Sequence, residues 1–177
     1  MFTPLVKFKL LRPGAVLPSR GTDGSGAFDL YAPEDILLQT GEKRLIPTGV
    51  AHDLPGTLFM KLFEIRQVKN VLGGGEEEYL PAVPAYATPF RLQAVLFDRS
   101  GTGSKGVRIS FASLIDNDYR GEILLSIENV SVAPKHWKQG NRLAQIAYVL
   151  MYAGPCAETQ FLTETNRGGG GFGSTGK

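Results

Sequence analysis

The segment from Leu114 to Ile127 constrains the fold more than any other part of the chain. Two apolar residues run into Asp116-Asn117-Asp118, a Tyr-Arg-Gly triplet follows, and isoleucine or leucine then recurs at every second position up to Ile127. Asn and Asp favour turns because their side chains bond nearby backbone, whereas a period of two is typical of a strand. The segment therefore predicts a β-hairpin with its bend at 116–118. Its carboxylates could face a ligand or be solvated at the surface, and the turn alone leaves both interpretations open.

The rest of the chain also favours strands. Its 22 Gly and 11 Pro separate many short apolar runs, which is typical of an all-β fold, and 177 residues suffice for one domain with a full core. The strand at 142–151 is apolar on both faces, so we expect it to be central. Further strands are predicted at 6–10, 27–32, 36–38, 45–47, 49–54, 92–97 and 107–115.

Charge and composition argue against several classes of protein. The 19 basic and 17 acidic side chains leave a formal net charge of +2, and the basic residues form no stripe, which argues against nucleic-acid binding. No long apolar run is present, and the N-terminus lacks the layout of a signal peptide. Cys156 is the single cysteine and fits a reducing compartment. We therefore expect a soluble cytoplasmic protein that binds neither nucleic acid nor membrane.

Two segments differ from the predicted strands. Residues from about 57 to 90 contain a Gly-Gly-Gly-Glu-Glu-Glu tip and a Pro-rich run, and they predict an insertion in a domain that spans 1–165. This insertion could be an ordered flap, a partner-binding arm or a tolerated loop. Residues 166–177 are Gly-rich and cannot bury a core, so they predict either a flexible arm that closes over a ligand or a disordered tail.

Three further features are candidates for a site. Asp29 is an acid inside an otherwise apolar strand, and Gln145 is a candidate buried amide in the central strand. The stretch from Asp98 to Gly106 is rich in Gly and hydroxyl side chains, and the backbone N–H groups of such a turn can surround an anion. His52 and His136 fall in no motif, and we expect both to be structural or solvated.

Taken together, these segments resemble the trimeric dUTPases, the deoxyuridine triphosphate nucleotidohydrolases, over nearly the whole chain outside the insertion. Five motifs of that family have counterparts in the same order, and the five in sequence are far more specific than any one of them. They are Gly26–Ala32, Arg99–Gly101, Leu114–Gly121, Gly140–Gln145 and Arg167–Gly176.

The resemblance implies a jelly-roll-like β-barrel that forms a homotrimer, with active sites at the subunit boundaries. It implies hydrolysis of dUTP to dUMP and pyrophosphate by attack of water at the α-phosphate, with Mg²⁺ on the triphosphate. This reaction would lower dUTP and supply dUMP for thymidylate synthesis. Such chemistry needs a positioned water and neutralised charge rather than a covalent nucleophile, which agrees with the residue types in the motifs.

The resemblance also implies roles for individual residues. Asp116 is the expected general base, Tyr119 is expected beneath the deoxyribose, and Asp29 is expected to hold the magnesium through a water. The uracil edge is expected to meet the backbone around Ser110, Ser113, Leu114 and Ile115. The phosphates are expected to meet Arg99, Ser100, Gly101, Gln145 and Arg167, with Arg142 supporting the subunit contact. From the closing arm, Phe172 would stack on the uracil, Ser174 and Thr175 would add phosphate contacts, and Gly173 would be a further substrate-binding residue.

The chain departs from the usual family pattern at three places. Gly26-Ala27 reverses the usual Ala-Gly order, Asp98 stands where a Pro often precedes the Arg, and Ser110 stands where an Asn is common. These departures concern the first motif, the phosphate turn and the segment expected to read the pyrimidine.

Two alternatives to dUTP hydrolysis remain at this point. The related dCTP deaminases share the fold and several motifs, but they carry a catalytic Glu where Ser126 stands here, and they tend to have another aromatic residue in place of Tyr119. The second alternative is a regulatory module, in which the nucleotide site acts as a switch and residues 57–90 bind a protein partner.

Overall fold

The computed structural model describes residues 6–55 and 90–170. Within these residues the chain forms eleven β-strands and one short helix. The first five strands are β1 (Lys7–Leu10), β2 (Ala27–Tyr31), β3 (Ile36–Leu38), β4 (Lys43–Pro47) and β5 (Val50–Asp53). After segment 56–89 follow β6 (Phe90–Asp98), helix α1 (Ser100–Gly103), β7 (Val107–Ile109), β8 (Leu114–Ile115), β9 (Leu124–Asn129), β10 (Lys135–Trp137) and β11 (Arg142–Tyr152). The predicted all-β class is confirmed.

The strands pair in antiparallel fashion in four sheets. The largest has the order β2-β11-β6-β8, and a second has the order β4-β9-β7. The pairs β1-β5 and β10-β3 complete the set. Apolar side chains from these sheets meet in one core, and the fully buried members include Leu30, Leu38, Leu125, Ile127 and Ile146.

The strand β11 is central, as its apolar pattern predicted. Along one side it pairs with β2 and along the other with nearly the whole of β6. Because both flanking strands are antiparallel to β11, residues opposite each other lie on the same face of the sheet. Gln145 thus lies between Asp29 of β2 and Phe97 of β6. This register brings the predicted first, second and fourth motifs together.

The predicted hairpin around Asp116 is wrong in its pairing, although the turn is present. The backbone N–H of Tyr119 donates to the carbonyl of Asp116, which closes the turn. The strands on either side do not pair with each other, since β8 pairs with β6 whereas β9 pairs with β4 and β7. The segment therefore passes from one sheet to another, and Ile123 N–H donates to the Val50 carbonyl at the crossing.

The two histidines have the structural or exposed settings that we expected. His52 is 2% exposed, and its Nδ1 lies 3.1 Å from the Tyr148 hydroxyl. Burial lowers the pKa of His52 below its ordinary value, and burial also raises the pKa of Tyr148. His136 is half exposed, and its Nε2 lies 3.9 Å from a carboxylate oxygen of Asp35.

Both predicted appendages fall partly outside the described residues. The insertion was predicted at about 57–90, and Phe90 begins β6 while residues 57–89 lie outside the description. After Tyr152 the described chain forms no further strand, and residues 153–170 are almost all exposed. No helix in the described ranges has the length and apolar character needed to cross a membrane.

Candidate active site

A cluster of one acid and two arginines lies where β2, β6 and β11 meet. Asp29 is 8% exposed. Its Oδ1 accepts a hydrogen bond from Arg99 Nε at 2.7 Å, and its Oδ2 lies 3.2 Å from Arg142 Nε. In the described part of the chain, the terminal Nη groups of both guanidinium ions make no hydrogen bond. We call Asp29, Arg99 and Arg142 the arginine cluster; it leaves several cationic donors available for an anion.

Gln145 lies beside the arginine cluster. The residue is half-buried, and its Nε2 donates to the carbonyl of Asp98 at 2.8 Å. The amide oxygen makes no hydrogen bond with any described residue. The prediction of an amide that needs partners is therefore correct, and one of those partners is the backbone immediately before Arg99.

Asp98 is a structural residue of this region that the sequence patterns did not single out as functional. Its carboxylate accepts a hydrogen bond from the backbone N–H of Ile109 in β7, while its carbonyl accepts the Gln145 amide. Asp98 thus links the end of β6 to β7 and to β11. The signal in the sequence was its departure from the proline that often precedes Arg99 in the family.

The predicted anion-binding turn after Asp98 contains the helix α1. The N–H groups of Thr102 and Gly103 donate to the Arg99 carbonyl, and that of Ser104 donates to Ser100. These donors are used within the turn. The first N–H groups of a helix have no intrahelical acceptor, so Ser100 and Gly101 present the donors that remain for a ligand.

The turn at Asp116 lies beside the middle of β6, away from the end at Asp98. Asp116 is exposed, and no hydrogen bond or ion pair with a described residue holds its carboxylate. The next residue, Asn117, is 5% exposed and fixes the turn, because its Nδ2 donates to the carbonyls of Pro55 and Leu92 at 3.1 and 2.8 Å. Arg120 adds a hydrogen bond of 2.7 Å to the Asn117 carbonyl. The backbone of the turn is thus held in place, while the Asp116 carboxylate stays available to a ligand.

Tyr119 lies over Gly121. The tyrosine is 42% exposed, and its hydroxyl donates to the Glu122 carbonyl at 2.9 Å. A Cβ on Gly121 would come within 2.4 Å of the tyrosine hydroxyl and 2.5 Å of the ring carbon that carries it. Gly121 is therefore the residue that lets the ring lie flat on the turn. Its position within the motif was recognised from the sequence, but this steric role was not.

An open groove of about 420 Å³ borders the Asp116 turn. It is lined by Asp116, Asn117 and Asp118 from the turn and by Arg91 and Gln93 from β6. Among buried side-chain atoms of the described residues, Gln93 Oε1 is one of two without a hydrogen-bond partner. Gln93 was not predicted as a site residue, because a single amide in a strand gives no signal in one sequence.

The segment predicted to read the uracil connects β7 to β8. Ser110 N–H donates to the Ser126 carbonyl, and the two serine hydroxyl oxygens are 2.9 Å apart. Ala112 has a φ of 53°, in the left-handed region that residues with a side chain rarely adopt. The Ser113 carbonyl accepts a hydrogen bond from Leu96 N–H at 2.7 Å. Leu114 is 51% exposed, and Ile115 is half-buried.

The predicted site residues form two groups rather than one in this chain. Ala94 of β6 pairs with Ile115, next to Asp116, whereas Arg99 follows the far end of β6. Arg99 is five positions after Ala94, which corresponds to roughly 17 Å at about 3.3 Å per residue. Asp116 and Tyr119 therefore lie apart from the arginine cluster and Gln145.

Of the predicted arm residues, the described chain contains Arg167, which makes no hydrogen bond or ion pair with either group. Arg167 is exposed, and its Nε donates to the Gly170 carbonyl at 2.8 Å. Phe172, Gly173, Ser174 and Thr175 lie outside the described residues.

Comparison with known proteins identifies relatives by sequence. The family model described as dUTPase matches residues 70–176. The deoxyuridine 5'-triphosphate nucleotidohydrolase of Neisseria meningitidis serogroup B is 35% identical, and the match covers 97% of this chain and 96% of that protein. The protein of the same name from an Anaeromyxobacter species is 31% identical, with coverages of 93% and 90%.

Solved structures share the fold. The dUTPase of Staphylococcus bacteriophage 80alpha with dUpNHpp has a TM-score of 0.74 and 21% identity, and the match covers 99% of this chain and 100% of that one. A mutant dUTPase from phage phi11 of S. aureus, described with a structural Mg(II) ion, has a TM-score of 0.65 and 18% identity, with coverages of 90% and 99%.

The structural matches define the class as an all-β protein with the dUTPase fold. The sequence matches go further because they span nearly the whole chain: this chain belongs to the dUTPase family. The family resemblance drawn from the five motifs is confirmed.

Proposed function

We propose that this protein hydrolyses dUTP to dUMP and pyrophosphate, with Asp116 as the general base. The observation that carries this proposal is the contrast between the two acids of the motifs. Asp29 is held by two arginines, whereas the Asp116 carboxylate is exposed in a groove on an anchored turn. A general base needs a carboxylate that can approach a water and take its proton. Asp116 meets that requirement, and Asp29 does not.

The arginine cluster supports the phosphate-binding part of the proposal. Because Arg99 and Arg142 meet Asp29 through Nε, their terminal nitrogens are left for phosphate oxygens. Guanidinium groups bind phosphate by paired, charge-assisted hydrogen bonds. The N–H groups at the start of α1 add donors at Ser100 and Gly101. The amide oxygen of Gln145, which bonds no described residue, lies beside them. From the arm, Arg167, Ser174 and Thr175 would complete the phosphate contacts. Phe172 would stack on the uracil, and Gly173 would be a further substrate contact.

A homotrimer explains why the two groups of residues lie apart in one chain. A site that needs both Asp116 and the arginine cluster can be completed by residues from neighbouring copies. The outward face of the largest sheet supports such contacts, because Phe97 is 45% exposed and Leu114 is 51% exposed, and Val95 pairs with Leu114 two residues from Phe97. An apolar sheet face of this kind is typical of a protein–protein contact.

Magnesium fits this proposal as an ion that arrives with the triphosphate. The described residues contain no cluster of three or more His, Cys, Asp or Glu side chains that could hold a metal. Each oxygen of Asp29 meets one arginine and keeps a lone pair for a water. Mg²⁺ usually retains several waters and uses few protein carboxylates, so Asp29 would hold it through water. When bound, the ion would neutralise phosphate charge.

The structure argues against deamination of dCTP. Ser126 stands where the deaminases carry their catalytic Glu, and it is 1% exposed and lies 2.9 Å from the Ser110 hydroxyl. Within the described part of the chain, this position offers no carboxylate for proton transfer. The proposed protein partner at 57–90 and a cytoplasmic location stay predictions.

The test is pyrophosphate release from dUTP in the presence of magnesium, measured beside dCTP, dTTP and UTP. Selective release from dUTP supports the proposal, and ammonia from dCTP would instead indicate a deaminase. Binding of dUTP without turnover would contradict the hydrolase and would favour a nucleotide-sensing module.

A further inference from the structure

We propose that Gln93 is a further residue of the active site, which accepts a hydrogen bond from the water that Asp116 activates. The inference rests on the proposed function and adds to it a residue that lies outside the five motifs. Three observations carry it: the register of β6 and β8, the shared groove, and the hydrogen bonding of the amide.

The register places Gln93 opposite Asp116. Val95 pairs with Leu114 and Ala94 pairs with Ile115, where β8 ends. Continuing the same register by one residue puts Gln93 opposite Asp116, the first residue after β8. Side chains directly opposite each other in an antiparallel pair lie on the same face, with Cβ atoms about 4.5–5.5 Å apart. The hydrogen bond from Asn117 to the Leu92 carbonyl shows that the two chains stay close at this point.

The two side chains also share an open space. Both line the groove of about 420 Å³ that borders the turn. A water there can therefore reach both the carboxylate and the amide. Asp118 lines the same groove, but it lies two residues further along and is displaced from the pairing with β6.

Among the described residues, the Gln93 amide has no hydrogen-bond partner. Its Oε1 is buried and has no donor, and its Nε2 makes no hydrogen bond with any described residue. In the structure the oxygen is therefore the enclosed end of the amide. Because neither end bonds a described residue, a half-turn of the amide group can bring the oxygen to the groove. A buried amide oxygen without a donor lowers stability, so the contacts within one described chain do not account for a polar residue here.

These contacts suit the hydrolytic step. With its oxygen turned to the groove, Gln93 accepts one hydrogen of the water while Asp116 accepts the other. The lone pairs of the water then face the α-phosphorus. As the new oxygen–phosphorus bond forms, Asp116 takes the proton, and the bond from the α-phosphorus to the bridging oxygen breaks with its electron pair leaving on pyrophosphate. Two acceptors orient this water, whereas one leaves it free to turn.

The experiment compares Gln93→Leu, Gln93→Glu and a control, Gln39→Leu, with the unaltered protein. Gln39 is exposed at the turn after β3, and its side chain makes no hydrogen bond with a described residue. We expect Gln93→Leu to lower kcat by about ten- to a hundredfold, with KM within about twofold. Its thermal midpoint should be equal or higher, because an unsatisfied polar atom has been removed. The control should match the unaltered protein.

Gln93→Glu tests the position of the residue independently of packing. A second carboxylate opposite Asp116 disfavours the charged form of the pair, so the acid limb of the kcat–pH profile should move to higher pH. A merely structural residue would not move this limb.

Four results would overturn the inference. Gln93→Leu with unchanged kcat would exclude a role in orienting the water, and a fall in kcat matched by a fall in thermal midpoint would assign Gln93 to the fold. An unchanged pH profile in Gln93→Glu would remove Gln93 from the neighbourhood of the base. If the unaltered protein does not hydrolyse dUTP at all, the proposed function fails and this inference fails with it.

Discussion

Two acids close to β6 have opposite environments. Asp29 of β2, beside the end of β6 at Asp98, is buried and contacts two arginines at 2.7 and 3.2 Å. Asp116, beside the middle of β6, is exposed, and in the described chain only its backbone is bonded. The fold therefore uses one carboxylate to organise cations and leaves the other available for chemistry. The same residue type serves both purposes because burial and neighbouring charges decide what a carboxylate does.

Replacing Asp116 should have the largest effect. Asp116→Asn keeps the size of the side chain but removes its ability to take a proton, so kcat should fall by roughly two to four orders of magnitude, with dUTP binding retained. Single-turnover kinetics and equilibrium binding would measure the two quantities separately.

Asp118→Asn is the matched control for that prediction, since Asp118 lines the same groove two residues away. It should retain most of the activity. If kcat fell further in Asp118→Asn than in Asp116→Asn, Asp118 would be assigned as the base in place of Asp116.

Breaking the arginine cluster should mainly affect stability and phosphate binding. Asp29→Asn leaves Arg99 and Arg142 facing each other without a carboxylate, and the free energy of unfolding should fall by about 1–3 kcal/mol, since both guanidinium groups are partly screened by solvent. Urea unfolding would measure this change, and KM for dUTP should rise in parallel.

Asp35→Asn provides the comparison for a surface pair. The Asp35 carboxylate accepts a hydrogen bond from Lys138 at 2.7 Å but lies at the surface. The free energy of unfolding should therefore change little in Asp35→Asn. Equal losses in both variants would mean that burial does not distinguish the arginine cluster from an ordinary surface ion pair.

Gly121→Ala should displace the Tyr119 ring beside Asp116 without unfolding the protein. The added Cβ would overlap the Tyr119 ring, which can swing outward and give up its bond to the Glu122 carbonyl. We expect KM for dUTP to rise by about two- to tenfold, the value of one aromatic contact. Steady-state kinetics with a thermal unfolding control would test this, and an unchanged KM would argue against a substrate contact for Tyr119.

The smallest effect should be a loss of stability in mild acid through His52. Its pKa is lowered in the folded protein, so the unfolded chain binds the proton more readily, and stability falls as the pH decreases below the ordinary value of about 6.5. Urea unfolding at pH 7.5, 6.5 and 5.5 would show the decline.

His52→Gln should flatten that pH dependence because glutamine does not titrate. His136→Gln should leave it in place, since His136 is half exposed. A decline of equal size in all three proteins would assign the acid sensitivity to other groups.

Local patterns predicted most of the strands. The single strand predicted at 107–115 is two short strands, β7 and β8, and β10 was not predicted. The apolar residues on both faces of 142–151 correctly placed β11 at the centre of a sheet, and the short run at 36–38 matches β3. The turn at Asp116 followed from its Asn and Asp residues. These features depend on the periodicity of neighbouring residues, which one sequence displays directly.

Long-range partners were not predictable in the same way. Alternation shows which side chains share a face but not which strand lies alongside, and for this reason β8 and β9 were wrongly paired. The contact between Asp29 and Arg142 joins residues far apart in the chain. Gln93 became a candidate site residue only once the register of β6 and β8 was known.

Asn117 makes segment 56–89 a place where the fold can accept inserted sequence. Its amide binds the carbonyls of Pro55 and Leu92, so the chain leaves for segment 56–89 and returns from it at one place. The entropy of closing a loop grows slowly with length, and a segment clasped in this way can be lengthened or exchanged at little cost to the barrel. Asn117, which joins the two ends of the segment, is the residue next to Asp116. A domain inserted in the segment that pulls Pro55 and Leu92 apart would therefore also displace Asp116, the proposed base. The position is suited to building a dUTPase whose turnover reports on an inserted sensor.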